Sequence, residues 1–127
     1  MARKVLVVED HPTMRAAMRL VLEPEGFDVL EAVDGNDALA MIGRERPELV
    51  LLDLNIPGMT GEEILRSVKG DPELGATRVV VVTAAGEEER RRMLELGADG
   101  SLTKPFGPSD LLRTVAPEPA GPGSTGS

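Results

Sequence analysis

The chain has 127 residues and a mass of 13.5 kDa, which suits one compact domain. Its 22 acidic against 14 basic residues give a net charge of -8, the opposite of a nucleic-acid footprint and unsuited to an anionic membrane surface. The absence of cysteine and the single histidine exclude a disulfide framework, thiolate metal sites and His-cluster sites, and the 2% aromatic content leaves an aliphatic core.

The first apolar run is Val5-Leu6-Val7-Val8. It is too short for a signal-peptide core or a membrane span, so a cytoplasmic protein without membrane contact is expected. Pro12 to Glu23 carries Met14, Ala17, Met18, Val21 and Leu22 at helical spacing, with Pro12 in the first turn and Gly26 at the end. Phe27-Asp28-Val29-Leu30 alternates, as an edge or near-edge strand does. Asp34 can cap a helix over about Gly35 to Glu45. Leu49-Val50-Leu51-Leu52 is a second continuous run, followed by a helix from Gly61 to about Lys69 that Gly70-Asp71-Pro72 stops. Val79-Val80-Val81-Val82 is a third continuous run, and a helix over Glu87 to Leu96 ends at Gly97. In that helix Arg90-Arg91-Arg92 after Glu87-Glu88-Glu89 reads as a solvated face with local ion pairs. A weak run, Ser101-Leu102-Thr103, precedes a last helix with Ser109 as its expected cap and Leu111, Leu112 and Val115 on its apolar face.

Strand and helix thus alternate five times, which implies βαβ units and a parallel sheet with helices on both faces. The continuous runs have the look of strands buried on both sides. Residues 1–116 read as the domain, and 117–127 as a flexible tail or linker rich in Pro, Gly and Ser.

Ligands of an open parallel sheet bind beyond the carboxyl ends of its strands. There the chain carries Glu9 and Asp10, then Asp53, Thr83 and Lys104. Taken singly, each has an ordinary reading as a solvated acid, a cap or a surface charge. Together, clustered carboxylates cost free energy unless a cation joins them, and an all-oxygen set favours Mg²⁺. Magnesium, an ammonium and a hydroxyl suit phosphoryl groups, and a carboxylate can itself be the nucleophile. Asp53, ending the strand nearest mid-sheet, is the best candidate. His11 reads as a helix starter beside the acidic pair, and the six methionines as core filler.

Val7-Val8-Glu9-Asp10, the segment from Leu51 through Asp53, Asn55 and Pro57 to Gly61, Val82-Thr83-Ala84 and Lys104-Pro105-Phe106 carry a resemblance. So does Leu96-Gly97-Ala98-Asp99-Gly100. The chain resembles the receiver domains of two-component response regulators, of the chemotaxis type, over about residues 3 to 115. The resemblance implies a doubly wound, flavodoxin-like α/β fold with strand order 2-1-3-4-5. It implies that Asp53 accepts a phosphoryl group from a histidine kinase or phosphotransfer protein, and that the chain is a switch acting on a downstream partner or effector rather than an enzyme. It implies Mg²⁺ held by Glu9, Asp10, Asp53 and the Asn55 carbonyl, with Asp10 direct and Glu9 through water. It implies phosphoryl contacts from Thr83, Ala84 and Lys104, and a cis peptide before Pro105.

Two departures from the family pattern stand out. Ser101 occupies a position where the family commonly carries Tyr or Phe, and the interval from Thr83 to Lys104 is one residue short. Both touch the face that signals to partners. Two rivals remain: a phosphatase of the haloacid dehalogenase kind and a receiver-fold scaffold that is never phosphorylated. The first wants a second Asp where Asn55 stands; the intact acceptor and acidic pair weigh against the second.

Overall fold

The three continuous apolar runs lie inside a sheet, because only an interior strand has both faces covered. The structure is a computed structural model and describes residues 3–84 and 86–116; the expected tail over 117–127 lies outside the described residues. The strands are β1 (Arg3–Val8), β2 (Phe27–Ala32), β3 (Leu49–Asp53), β4 (Arg78–Thr83) and β5 (Gly100–Thr103). The helices are α1 (Pro12–Leu22), α2 (Gly35–Glu45), α3 (Gly61–Gly70), α4 (Glu87–Glu95) and α5 (Pro108–Val115). All neighbouring strands are parallel, in the order β2-β1-β3-β4-β5. The alternating run is an edge strand, and β3 is central.

Successive side chains leave a strand on opposite faces, so the interior strands feed two cores. Leu6, Val8, Val50, Leu52, Val79 and Val81 meet Ala38 and Ile42 of α2, Ile64, Leu65 and Val68 of α3, and Met93 of α4. Val5, Val7, Leu49, Leu51, Val80 and Val82 meet Met18 and Leu22 of α1 and Leu111 and Val115 of α5. α4 buries only Met93, whereas α3 buries Gly61, Ile64, Leu65 and Val68.

Local chemistry fixes the starts of three helices. Asp34 Oδ1 accepts from Asp37 N at 2.8 Å, capping α2. Thr60 and Glu63 form a reciprocal capping box at α3. The expected cap of α5 is corrected: the helix starts at Pro108 with Gly107 as cap, not Ser109. Proline has no N–H to lose and its φ is preset, so it takes the first helical position. The Asp110 carboxylate then accepts from Gly107 N at 2.9 Å.

The Arg cluster of α4 is also more than a solvated face. Arg90 pairs with Glu87 as expected, but Arg92 reaches Glu62 of α3 at 2.8 Å and ties the two helices together.

The loop after β3 is pressed onto the start of α2. Gly35 N donates to Pro57 O at 3.0 Å, and a Cβ on Gly35 would lie 1.9 Å from the Met59 carbonyl oxygen. Gly58 turns the loop with φ +80, a conformation that favours glycine. The segment carrying Asn55 is therefore seated by two residues without side chains.

Candidate functional site

Parallel strands in register end together, so the residues after them share one rim. Val8 pairs with Leu52, Leu52 with Val81, and Asp53 with Val82. Glu9 leaves β1 with its N–H still bonded to Ala32 O at 3.0 Å, and Lys104 leaves β5 bonded to Thr83 O at 2.9 Å. The backbone ladders thus hold Glu9, Asp53, Thr83 and Lys104 at one edge.

Asp53 is buried, with both oxygens engaged. Oδ1 accepts from Asn55 N at 2.9 Å and Oδ2 from Lys104 Nζ at 2.8 Å. Lys104 Nζ also lies 3.4 Å from Glu9 Oε1, so one ammonium sits between two carboxylates. Burial pulls that ammonium's pKa down, but the hydrogen bonds and charges of Asp53 and Glu9 more than offset it, and the net direction is up. Glu9 is 1% exposed. Burial, and then contact with Asp53, push its carboxyl above the ordinary range against the opposing hydrogen bonds from His11.

Asp10 is half-buried, yet its Oδ1 atom is buried without a hydrogen bond. His11 Nδ1 lies 3.2 Å from that oxygen and 3.2 Å from Glu9 Oε2, and the His11 ring itself is exposed. A buried carboxylate oxygen lacking a donor, beside an acid held above its usual pKa, is a place short of positive charge. One oxygen each from Glu9 and Asp10 and one nitrogen of His11 lie within 4.8 Å of one another, and the carboxylate oxygens of that pair suit a hard divalent cation.

Asp53, Leu54, Asn55, Thr83, Ala84, Glu89 and Lys104 line one open depression of about 330 Å³. The Thr83 hydroxyl donates to Glu89 Oε1 at 2.8 Å. Glu89 joins the lining residues without belonging to the set expected from sequence. Its position three residues after the Gly86 cap suggests a bond back to the helix start, and sequence alone does not show that it turns to Thr83 instead. Ser101 is half-buried on β5 opposite Val81 and is not among the residues that line the depression. The Lys104–Pro105 peptide is cis. Among the described residues no helix is long and apolar enough to cross a membrane.

Residues 5–116 match the family model described as the response regulator receiver domain. The chain is 41% identical over 116 residues to the phosphate regulon transcriptional regulatory protein PhoB of Escherichia coli K12, covering 91% of this chain and 51% of that protein. It therefore spans about half the length of the curated relatives it matches. Among solved structures, the chemotaxis response regulator CheY4 of Vibrio cholerae superposes with a TM-score of 0.83 at 33% identity, covering 90% of this chain and 96% of that one. The receiver domain of the sensor histidine kinase PA1611 from Pseudomonas aeruginosa PAO1, solved with magnesium coordinated in its active site cleft, gives a TM-score of 0.81 at 25% identity, covering 90% and 94%. With this fold, strand order and family match, the chain belongs to the response regulator receiver domains of two-component signalling systems.

Proposed function

We propose that Asp53 accepts a phosphoryl group from a histidine kinase or phosphotransfer protein, and that the chain works as a switch rather than as an enzyme on outside substrates. The observation that carries this reading is the pairing of Asp53 with Lys104 at the floor of an open depression. An Asp53 oxygen attacks phosphorus, the P–N bond to the donor imidazole breaks with its electron pair going to that nitrogen, and the ring, already carrying a proton on its other nitrogen, leaves as neutral imidazole. The product is an acyl phosphate on Asp53. Asn55 N holds the other carboxylate oxygen in place, and Lys104 keeps its proton and meets the transferred charge. Thr83, Ala84 and Lys104 contact the phosphoryl oxygens afterwards.

Glu9, Asp10, Asp53 and the Asn55 carbonyl would hold Mg²⁺, Asp10 directly and Glu9 through water. The donorless Asp10 oxygen supports that assignment, as does the magnesium bound by the PA1611 receiver. Bound there, the ion would neutralise charge that develops on the phosphoryl group. The same reading carries a cytoplasmic location, a receiver unit over 1–116 and a linker over 117–127.

The test is intact mass after incubation with a small phosphodonor. A phosphoryl adduct is expected with Mg²⁺, and its loss in Asp53→Asn and in excess chelator. An adduct that survives either change overturns the assignment. Turnover of a generic phosphate ester would instead favour the phosphatase reading, which lacks its second acid at Asn55.

A further inference from the structure

Glu89 is the third residue of α4 after its cap. In α3 and α5 the acid at that position bonds the main chain of its own helix start: Glu63 accepts from Thr60 N at 2.9 Å, and Asp110 from Gly107 N at 2.9 Å. Glu89 instead accepts the Thr83 hydroxyl at 2.8 Å, and Gly86 gives α4 no side-chain cap. The carboxylate thereby lines the depression that already contains Asp53 and Lys104.

This placement has two consequences for a phosphoryl group at Asp53. A hydroxyl has one proton, so Thr83 cannot donate to Glu89 and to a phosphoryl oxygen at once. A phosphoryl group also brings about two negative charges next to a fixed carboxylate, and like charges in a partly closed depression repel. α4 is weakly anchored on its apolar side, with Met93 its one buried residue. Arg92 holds it to Glu62 of α3 near its far end.

We propose that Glu89 is a built-in anionic competitor for the phosphoryl site: at rest its carboxylate occupies the Thr83 hydroxyl, and the incoming phosphoryl group displaces it and frees the first turn of α4. Glu89 acts on the reaction through Thr83 and through charge, so it is a positioning residue. The inference rests on the reading of Asp53 as acceptor and adds the internal group that opposes acceptance. It also gives the chain a route from the site to α4 that needs no aromatic ring at Ser101.

The experiment compares the full chain with Glu89→Gln and Glu89→Ala. Labelling of wild type at Asp53 is read first by intact mass; its absence overturns the acceptor reading whatever Glu89 does. Given labelling, removing one carboxylate should speed reaction with an anionic small donor roughly three- to tenfold at low salt, in both variants. That gain should shrink towards unity at high salt, a dependence that a merely structural role does not produce. Amide shifts of residues 86–90 should move when beryllofluoride and Mg²⁺ are added to wild type. In Glu89→Ala they should lie partway to those positions beforehand. Thermal melting confirms that each variant is folded. Labelling rates equal to wild type in both variants, or a gain that salt does not alter, overturns the proposal.

Discussion

Replacing Gly35 with alanine sets two opposed effects against each other. Alanine in a helix is favoured over glycine by up to about 1 kcal/mol. The new methyl carbon, however, would lie 1.9 Å from the Met59 carbonyl oxygen, 2.7 Å from its carbon and 2.8 Å from its Cβ. Ordinary contact is about 3.5 Å, so the Met59 peptide must retreat by more than about 1 Å. That movement forfeits the bond from Gly35 N to Pro57 O, about 1 kcal/mol, and overpacking adds about 1–3 kcal/mol. The clash wins, with a net loss of about 2 kcal/mol and a fall in Tm of roughly 8–12 °C. Gly43, in the same helix, has nothing within 4 Å of a built Cβ. Gly43→Ala should therefore gain about 0.5–1 kcal/mol from helix propensity alone. Urea unfolding followed by far-UV circular dichroism measures both, since the chain has no Trp or Tyr for fluorescence. Because the displaced loop carries Asn55, Gly35→Ala should also weaken Mg²⁺ binding in calorimetry. Equal stability of Gly35→Ala and wild type, or shifts of the same sign at both glycines, would refute the reasoning.

Three further outcomes are expected. In chelator, Glu9→Gln should be more stable than wild type at neutral pH, because burial and Asp53 raise the folded-state pKa of Glu9 and its ionised form opposes folding. That advantage should vanish as pH falls through the raised value towards the ordinary 4.5, and an advantage that persists in acid would contradict the cause. Lys104→Met leaves Asp53 buried beside Glu9 without its cation and should cost about 1–3 kcal/mol in urea unfolding; unchanged stability would show that the pair is not a net contributor. On adding beryllofluoride and Mg²⁺, large chemical-shift changes should centre on Asp53, Asn55, Thr83 and Ala84, with small ones at Ser101 to Thr103. Ser101 offers little buried area to rearrange, so a large change centred on Ser101 or the Phe106 ring would oppose this.

The sheet was legible because burial on both faces erases alternation, and β1, β3 and β4 show that erasure directly. The rim was legible for a geometric reason: whatever follows a strand in a parallel sheet must stand at one edge. Glu89 escaped because a run of three acids at a helix start does not say which one turns towards the preceding strand end. The bridge from Arg92 to Glu62 escaped because it depends on how closely α3 and α4 pack, which sequence spacing does not encode. At the start of α5 the capping propensity of Ser109 yields to the stronger constraint of Pro108, which takes the first helical turn and leaves Gly107 as the cap.

The division of the core also bears on how such a chain can change. Odd-numbered Val5, Val7, Leu49 and Leu51 face α1 and α5, while even-numbered Leu6, Val8, Val50 and Leu52 face the other three helices. The sheet is thus a party wall between two separately furnished rooms. Substitutions that repack one room leave the side chains of the other untouched, so their stability effects should add across the wall and couple only within a room. A lineage or a designer can retune the α1 and α5 side for one set of contacts while the helices that border Glu89 drift independently. Only the strand ends, where both rooms open onto the same carboxylates, remain common property.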